Sequence, residues 1–267
     1  MMNKNLVNMH KQQGFTLVEL MITLVLALLI SYGIAQVLIS SNRSSVTSDG
    51  LSQAQETGRF AQSYLAEYIR KAGQDSIQDA SITTLAFSGA SVDNLNAAGS
   101  DRLAIRYVPE APIAPATIQT CSGDNTAFDG TQVIEHHFWV DTNNNNLMCQ
   151  SFDGAGVVLS AAQAIASGIE AMHVLYGYAD AELTASGGQR NVSRYINRND
   201  IPNNGAGNTD WQKVYAVRIA IMTRSLNDFT TEQRRQRYVL LDSPVYDFTD
   251  SISRQVFNTT YIIENFN

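Results

Sequence analysis

The chain begins with two successive hydrophobic patterns. Residues 20 to 42 carry no charged side chain, and a run of that length crosses roughly 30 Å of hydrocarbon as a helix. One carboxylate, Glu19, stands where the run begins. Beyond Arg43 the pattern turns amphipathic: Phe60, Ala61, Tyr64, Leu65, Tyr68, Ile69 and Ala72 recur at helical spacing between Gln55 and Gly73, with Arg59, Glu67, Arg70 and Lys71 elsewhere. This predicts a helix with one packed face. Gly73, just behind two basic residues, predicts its end. If the helix runs unbroken from Phe15, then Gly33, Gly50 and Gly58 are where bends or local melting are expected.

From about Ser81 the pattern becomes short runs rich in Val, Ile, Thr and aromatics, separated by Gly, Asn, Ser and Pro. The predicted strands are Ile82 to Phe87, Arg102 to Val108, Gln132 to Val140, Leu147 to Phe152, Ile169 to Tyr178, Lys213 to Arg224, Arg237 to Leu241 and Arg254 to Ile263. Leu103, Ile105 and Tyr107 alternate with Arg102, Ala104 and Arg106, and Phe257, Thr259, Tyr261 and Ile263 alternate with Asn258, Thr260 and Ile262. Each such strand is expected to bury one face, under the long helix. Segments 88 to 100 and 184 to 210 read as loops, the second long enough to be flexible or to bind something. No internal repeat is present, and the fold class is α+β.

Length, 267 residues, allows one or two domains. The formal net charge of -7 argues against a general nucleic-acid binder. No GxSxG, HExxH, P-loop or dinucleotide-binding pattern occurs, so no enzyme or cofactor is expected. The two cysteines, Cys121 and Cys149, lack metal-site spacing and form either one disulfide or two inert thiols.

The leader, MMNKNLVNMHKQQG, contains Lys4, His10 and Lys11 and no acid. The positive-inside rule leaves it in the cytoplasm and places everything after Arg43 on the other side. An ordinary secretory signal has a shorter apolar core with a small-residue cleavage site beyond it. Here the small residue, Gly14, precedes the apolar run, so cutting there keeps the membrane helix on the mature chain.

Gly14-Phe15-Thr16-Leu17-Val18-Glu19-Leu20, followed by the apolar run, resembles the class III signal of type IV pilins and pseudopilins. The resemblance implies that a prepilin peptidase cuts between Gly14 and Phe15 and methylates the new amino terminus on Phe15. It also implies a role for Glu19. A lone carboxylate in a bilayer costs about 2.5–3.5 kcal/mol on insertion scales, and in pilin filaments this glutamate is thought to meet the positive amino terminus of a neighbouring subunit. The alternative is a carboxylate that snorkels to the headgroups.

Four further blocks, QETGRFAQSYLAEYIRKAG, SGIEAMHVLYG, VYAVRIAIMTRS and RQVFNTTYIIENF, resemble PilW-type minor pilins in order and separation; the closing Ile262-Ile263-Glu264-Asn265 departs from their usual ending. The implied organisation is a cleaved leader over 1–14, a transmembrane and assembly segment over 15–42, an amphipathic helix over 43–73 and a periplasmic or extracellular β-rich domain over 74–267. The implied fold is a long helix packed on a mainly antiparallel sheet. The implied function is a minor pilin at or near the filament tip that helps initiate pilus assembly, serving adhesion, twitching motility and DNA uptake. Its expected partners are the prepilin peptidase, other minor pilins, the major pilin, the inner membrane before assembly and a tip adhesin, with no specific nucleic acid. The alternatives are a GspJ-like pseudopilin of a type II secretion system, or a tip module that binds a surface, DNA or an adhesin.

In that oxidising compartment a Cys121–Cys149 bridge is expected, set against unpaired buried thiols. Between the cysteines, Asp141, Asn143 and Asn145 have the alternating spacing of a calcium loop. Asn146 and Phe152 replace its glycine and its closing glutamate, so an Asn-rich hairpin turn is the stronger expectation. Adjacent His136 and His137 point to opposite faces of a strand, and His173 lies alone in a strand. Arg234, Arg235 and Arg237, with Gln236 among them, form the one basic cluster. It is expected to be a solvated loop or an inter-subunit salt-bridge face, or to contact DNA phosphates.

Overall fold

The computed structural model describes residues 14–75, 84–94, 99–110, 116–180, 191–226 and 233–265. The elements are α1 (Leu17–Lys71), β1 (Arg102–Tyr107), β2 (Ala116–Gln119), β3 (Asn125–Phe128), β4 (Ile134–Asp141), β5 (Asn146–Asp153), β6 (Gln163–Ser167), β7 (Ile169–Tyr178), β8 (Arg194–Ile196), β9 (Val214–Arg224), β10 (Arg234–Tyr238), β11 (Tyr246–Asp250) and β12 (Arg254–Ile262). The chain divides into two units, residues 1–46 and 47–267.

In the first unit α1 begins at Leu17 rather than Phe15 because Thr16 caps it. The Thr16 hydroxyl accepts the Glu19 N–H at 3.3 Å, and its carbonyl accepts the Leu20 N–H at 3.2 Å. The apolar side chains that follow, Leu17, Leu24, Leu28 and Val37 among them, are all exposed. Contrary to expectation, Gly33, Gly50 and Gly58 interrupt nothing: α1 is continuous to Lys71. A helical glycine costs only about 1 kcal/mol relative to alanine, whereas breaking the ladder in an apolar setting leaves several polar groups unsatisfied.

In the second unit the antiparallel strands form two four-stranded sheets, in the orders β1-β4-β5-β6 and β12-β9-β7-β8, and two hairpins, β2-β3 and β10-β11. The buried stripe of α1 is Gly50, Ala54, Gly58, Ala61, Leu65, Tyr68 and Ile69. Leu65 and Ile69 share one core with Leu103 and Phe138 of the first sheet and Met172 and Ile219 of the second. Phe60, expected on the packed face, lies to its side and is 50% exposed. The small residues of the stripe allow a close approach: at Gly58 a Cβ would stand 2.1 Å from the Phe257 ring. Gly73 ends the helical turn at φ +75°, and its N–H bonds the Arg106 carbonyl at 2.9 Å.

Strand β4 buries alternate residues, and β12 keeps Phe257, Thr259 and Tyr261 half-buried while Asn258, Thr260 and Ile262 are exposed. Strands β7 and β9 depart from the one-face expectation and are buried on both faces. Met172, Val174, Val217 and Ile219 point into the main core, while Ala171, Ala220 and Met222 pack with Leu240, Tyr238, Tyr246 and Phe248 of the β10-β11 region. Part of the expected 82–87 strand lies outside the described residues, and Phe87 makes one isolated bridge, to Ile105. The expected 237–241 strand sits earlier, at Arg234–Tyr238, because Leu241 is left-handed at φ 53°. Of the expected loop 184–210, residues 184–190 lie outside the described residues. The remainder holds β8, a 3-10 turn at Arg198–Asp200 and buried Ile201, with Arg198 over the Trp211 ring.

A charged clamp ties the second sheet to its covering hairpin. The Arg254 guanidinium, 2% exposed, bonds Glu170 of β7 at 2.5 and 3.0 Å and Asp250 of β11 at 2.7 and 2.8 Å, and lies 3.7 Å from the Phe248 ring centroid. These carboxylates hold the guanidinium above its ordinary pKa against the opposing effect of burial. Loss of Arg254 breaks this buried pairing, a cost of about 3–5 kcal/mol, and leaves Glu170 with the Arg224 guanidinium 3.5 Å away.

Gly58→Leu forces the Phe257 ring away from α1. The substitution is expected to lower the unfolding free energy by about 1–3 kcal/mol, measured on detergent-solubilised protein, and Gly58→Leu/Phe257→Ala should lose less than the two single changes added together. Unchanged stability in Gly58→Leu would contradict the close packing.

Candidate functional site

Two regions bear the residues picked out by sequence. At the start of α1, Gly14 and Phe15 precede the helix, and the Phe15 side chain is 82% exposed. Glu19 stands one turn in, on a mostly apolar helix surface that carries no other charge as far as Asn42. Thr16 and Glu19 occupy the first and last positions of a T-x-x-E capping box. That signal was present in the sequence, and it explains why the helix holds its form up to Leu17, the third residue after the Gly14-Phe15 junction.

The second region surrounds the disulfide. Cys121, between β2 and β3, is bonded to Cys149 of β5 with a Cα–Cα distance of 6.2 Å, and both are buried. The bridge ties the β2-β3 hairpin to the first sheet, and the Tyr64 hydroxyl of α1 donates to the Cys121 carbonyl. Beneath it runs a buried polar chain. Tyr107 Oη lies 2.9 Å from His136 Nε2, His136 Nδ1 lies 2.8 Å from Ser151 Oγ, and Ser151 Oγ accepts the Cys121 N–H at 3.1 Å. The Tyr68 ring stands edge-on to His136, with centroids 4.9 Å apart. Burial drives the His136 pKa down to about 3, with Lys71 and His137 adding to the effect. His136 is therefore neutral, a structural hydrogen-bond hub. An isolated reading of His136-His137 found their opposite faces and missed Tyr107 and Ser151, because each partner comes from a neighbouring strand.

The other singled-out residues are held by local structure. Asp141 accepts the Asn143 N–H at 3.0 Å and the Asn144 amide at 2.7 Å. Asn145 is left-handed at φ 53°, and its carbonyl accepts the N–H groups of Gly168 and Ile169, both at 2.8 Å. The first two bonds close the β4-β5 hairpin and occupy both Asp141 oxygens, and the Asn145 bonds tie that turn to the start of β7. His137 meets Glu135 at 2.6 Å. His173 Nε2 lies 2.7 Å from Tyr246 Oη, and its Nδ1 is 3.6 Å from Asp101. Burial pushes Asp101 up to about 7 and His173 down to about 4. The basic cluster is on β10 rather than in a loop: Arg235 grips Asp247 of β11 with bonds of 3.0 and 2.6 Å, and Arg237 approaches the same carboxylate at 3.4 Å. Among the described residues no three His, Cys, Asp or Glu side chains are grouped to hold a metal.

Comparison with known proteins gives this arrangement its class. Residues 9–32 match the family model of the prokaryotic N-terminal methylation motif. Residues 137–265 match the model of the type IV pilus-assembly protein W. A search of curated proteins found no match. Among solved structures, a type IV-like pilin from Thermus thermophilus is 14% identical, covering 79% of this chain and 95% of that one, with a TM-score of 0.47. One long apolar N-terminal helix combined with antiparallel sheets and the methylation motif makes an α+β, pilin-like arrangement. Over residues 137–265 the chain is similar to the PilW type within that class. Among the described residues α1 is long and apolar enough to cross a membrane, which fits a membrane-anchored pilin.

The buried neutral His136 makes stability fall with acid. Its folded pKa is depressed, so between the unfolded value near 6.5 and the folded value of about 3 the unfolded chain binds the extra proton. From pH 6.5 to 4.5 this group is expected to remove about 2 kcal/mol of stability. Urea unfolding at those two pH values should show that much less loss in His136→Gln than in the unsubstituted chain. Equal losses would refute a neutral buried imidazole.

Proposed function

We propose that this chain is a minor pilin that enters a type IV pilus at or near its tip and helps to initiate assembly. The observation that carries the reading is Glu19, a single carboxylate one turn into a helix that has no other charge before Arg43 and whose apolar side chains are exposed in the isolated chain. Cleavage between Gly14 and Phe15, followed by methylation of Phe15, leaves a positive amino terminus beside that carboxylate's turn. In a staggered bundle, the Glu19 of one subunit pairs with the Phe15 amino group of the next, so both charges leave water together. Prepilin peptidase, the other minor pilins and the major pilin are the partners this reading requires. The leader stays cytoplasmic and the domain beyond Arg43 lies outside it, first in the periplasm and then on the filament. Adhesion, twitching motility and DNA uptake depend on the subunit through filament formation. The match to an assembly protein of the type IV pilus supports a pilus over a secretion pseudopilus.

Amino-terminal sequencing of the purified mature protein is expected to begin at Phe15, and Glu19→Val should be processed normally yet drop at least tenfold in sheared pili. Incorporation of the variant at the unsubstituted level would sink the charge-pairing account.

A further inference from the structure

The last strand offers a row of backbone groups that nothing among the described residues uses. β12 is the outer strand of the order β12-β9-β7-β8. The Ile263 N–H bonds the Tyr215 carbonyl at 2.9 Å, and the Ser225 N–H bonds the Ser253 carbonyl at 2.9 Å. The register between β12 and β9 is unbroken from Arg254 to Ile262. In an antiparallel ladder successive residues direct both backbone polar groups to alternate sides, so Gln255, Phe257, Thr259 and Tyr261 bond β9. The N–H and C=O groups of Val256, Asn258, Thr260 and Ile262 point outward, and among the described residues they have no partner. The usual protections of an edge, a lysine, a proline or a bulge, are absent from Arg254–Ile262. Ile262 is 71% and Val256 39% exposed.

A basic row runs beside this edge. Phe257 rests on Gly58, Thr259 accepts a hydrogen bond from the Gln62 side chain, the Tyr261 hydroxyl donates to the Gln62 carbonyl at 3.1 Å, and the Asn265 amide donates to the Arg70 carbonyl at 2.7 Å. The helical row containing Gln62 also holds Gln55, Arg59, Ala66 and Arg70. Arg59 and Arg70 are exposed, and among the described residues neither guanidinium has an ion-pair partner.

The geometry points to β12 as an acceptor for one extended segment of a different protein chain, added as a further antiparallel or parallel strand and carrying carboxylates toward Arg59 and Arg70. Those arginines are about 16 Å apart along α1, which a strand spans with same-face residues four or six positions apart. A second copy of this chain does not fit. β12 and residues 47–71 of α1 run in the same direction, so a twofold pairing of β12 with its copy sets the two helical segments antiparallel, with their Thr47 ends pointing opposite ways. It also brings two basic rows together.

The inference does not depend on the role proposed for Glu19, and its test uses the full chain in detergent. The probe is a ten-residue peptide alternating threonine and valine, with glutamate at its fourth and eighth positions. The controls are the same peptide with lysine there, and the glutamate peptide N-methylated throughout its backbone. The readout is amide hydrogen exchange at Val256, Asn258, Thr260 and Ile262. The glutamate peptide should slow these amides at least fivefold and the controls should not, while Arg59→Glu/Arg70→Glu, two exposed changes, should weaken the peptide at least tenfold and favour the lysine version. Three results overturn the proposal: no slowing with the glutamate peptide, equal slowing with either control, or slowing that grows with protein concentration in the absence of peptide, which would mean that a second copy covers the edge.

Discussion

Everything in the second unit depends on how closely α1 can lie against the sheets. Its buried stripe begins with Gly50, Ala54, Gly58 and Ala61 and only then admits Leu65, Tyr68 and Ile69. Small residues bring the helix backbone within reach of β9 and β12: the Thr223 hydroxyl donates to the Ala54 carbonyl at 3.0 Å, and the Phe257 ring fills the space a Gly58 side chain would take. The larger residues then enter the core shared by both sheets. The same helix carries, over residues 17–39, a mostly apolar surface that is exposed. One continuous hydrogen-bond ladder therefore serves two surroundings, one supplied by the chain and one by a membrane or by other pilins.

Two groups of buried polar side chains are arranged as connected sets. Arg254 is balanced by Glu170 and Asp250, and His136 stands between Tyr107 and Ser151 beneath the disulfide. Such networks contribute little net stability compared with apolar replacements, but they penalise any arrangement that leaves one member unpaired. Both sets join elements distant in sequence: Arg254 fixes the β10-β11 hairpin over β7, and the Cys121–Cys149 pair fixes the β2-β3 hairpin over β5. They place the two small hairpins on the larger sheets, where hairpins of this size have too little core of their own to be stable.

Much of this was legible in the sequence, and for identifiable reasons. The 3.6-residue recurrence around Leu65 and Ile69 located the packed half of α1, and the absence of charge between Leu20 and Asn42 located the exposed half. Strand β7 falls at Ile169–Tyr178 as its pattern implied. What periodicity could not supply was the second covering layer. A strand buried on both faces, such as β9, has no alternation to read, and the hairpin that covers it was misplaced by the left-handed Leu241. The network around His136 was equally hidden, because its partners Tyr107 and Ser151 are brought together only by strand register. Glu19 was conspicuous from sequence alone; its capping partner Thr16 was available in the same seven residues and passed unread.

The central claim is that one helix is held by the sheets over one stretch and by its surroundings over another. Amide hydrogen exchange in detergent micelles across a urea series tests it directly. Amides of residues 54–70 should lose protection in the same transition as those of β7 and β9, while amides of residues 20–42 remain protected through it. Loss of protection at 20–42 in that transition, or survival at 54–70 after β7 and β9 have opened, would contradict the account.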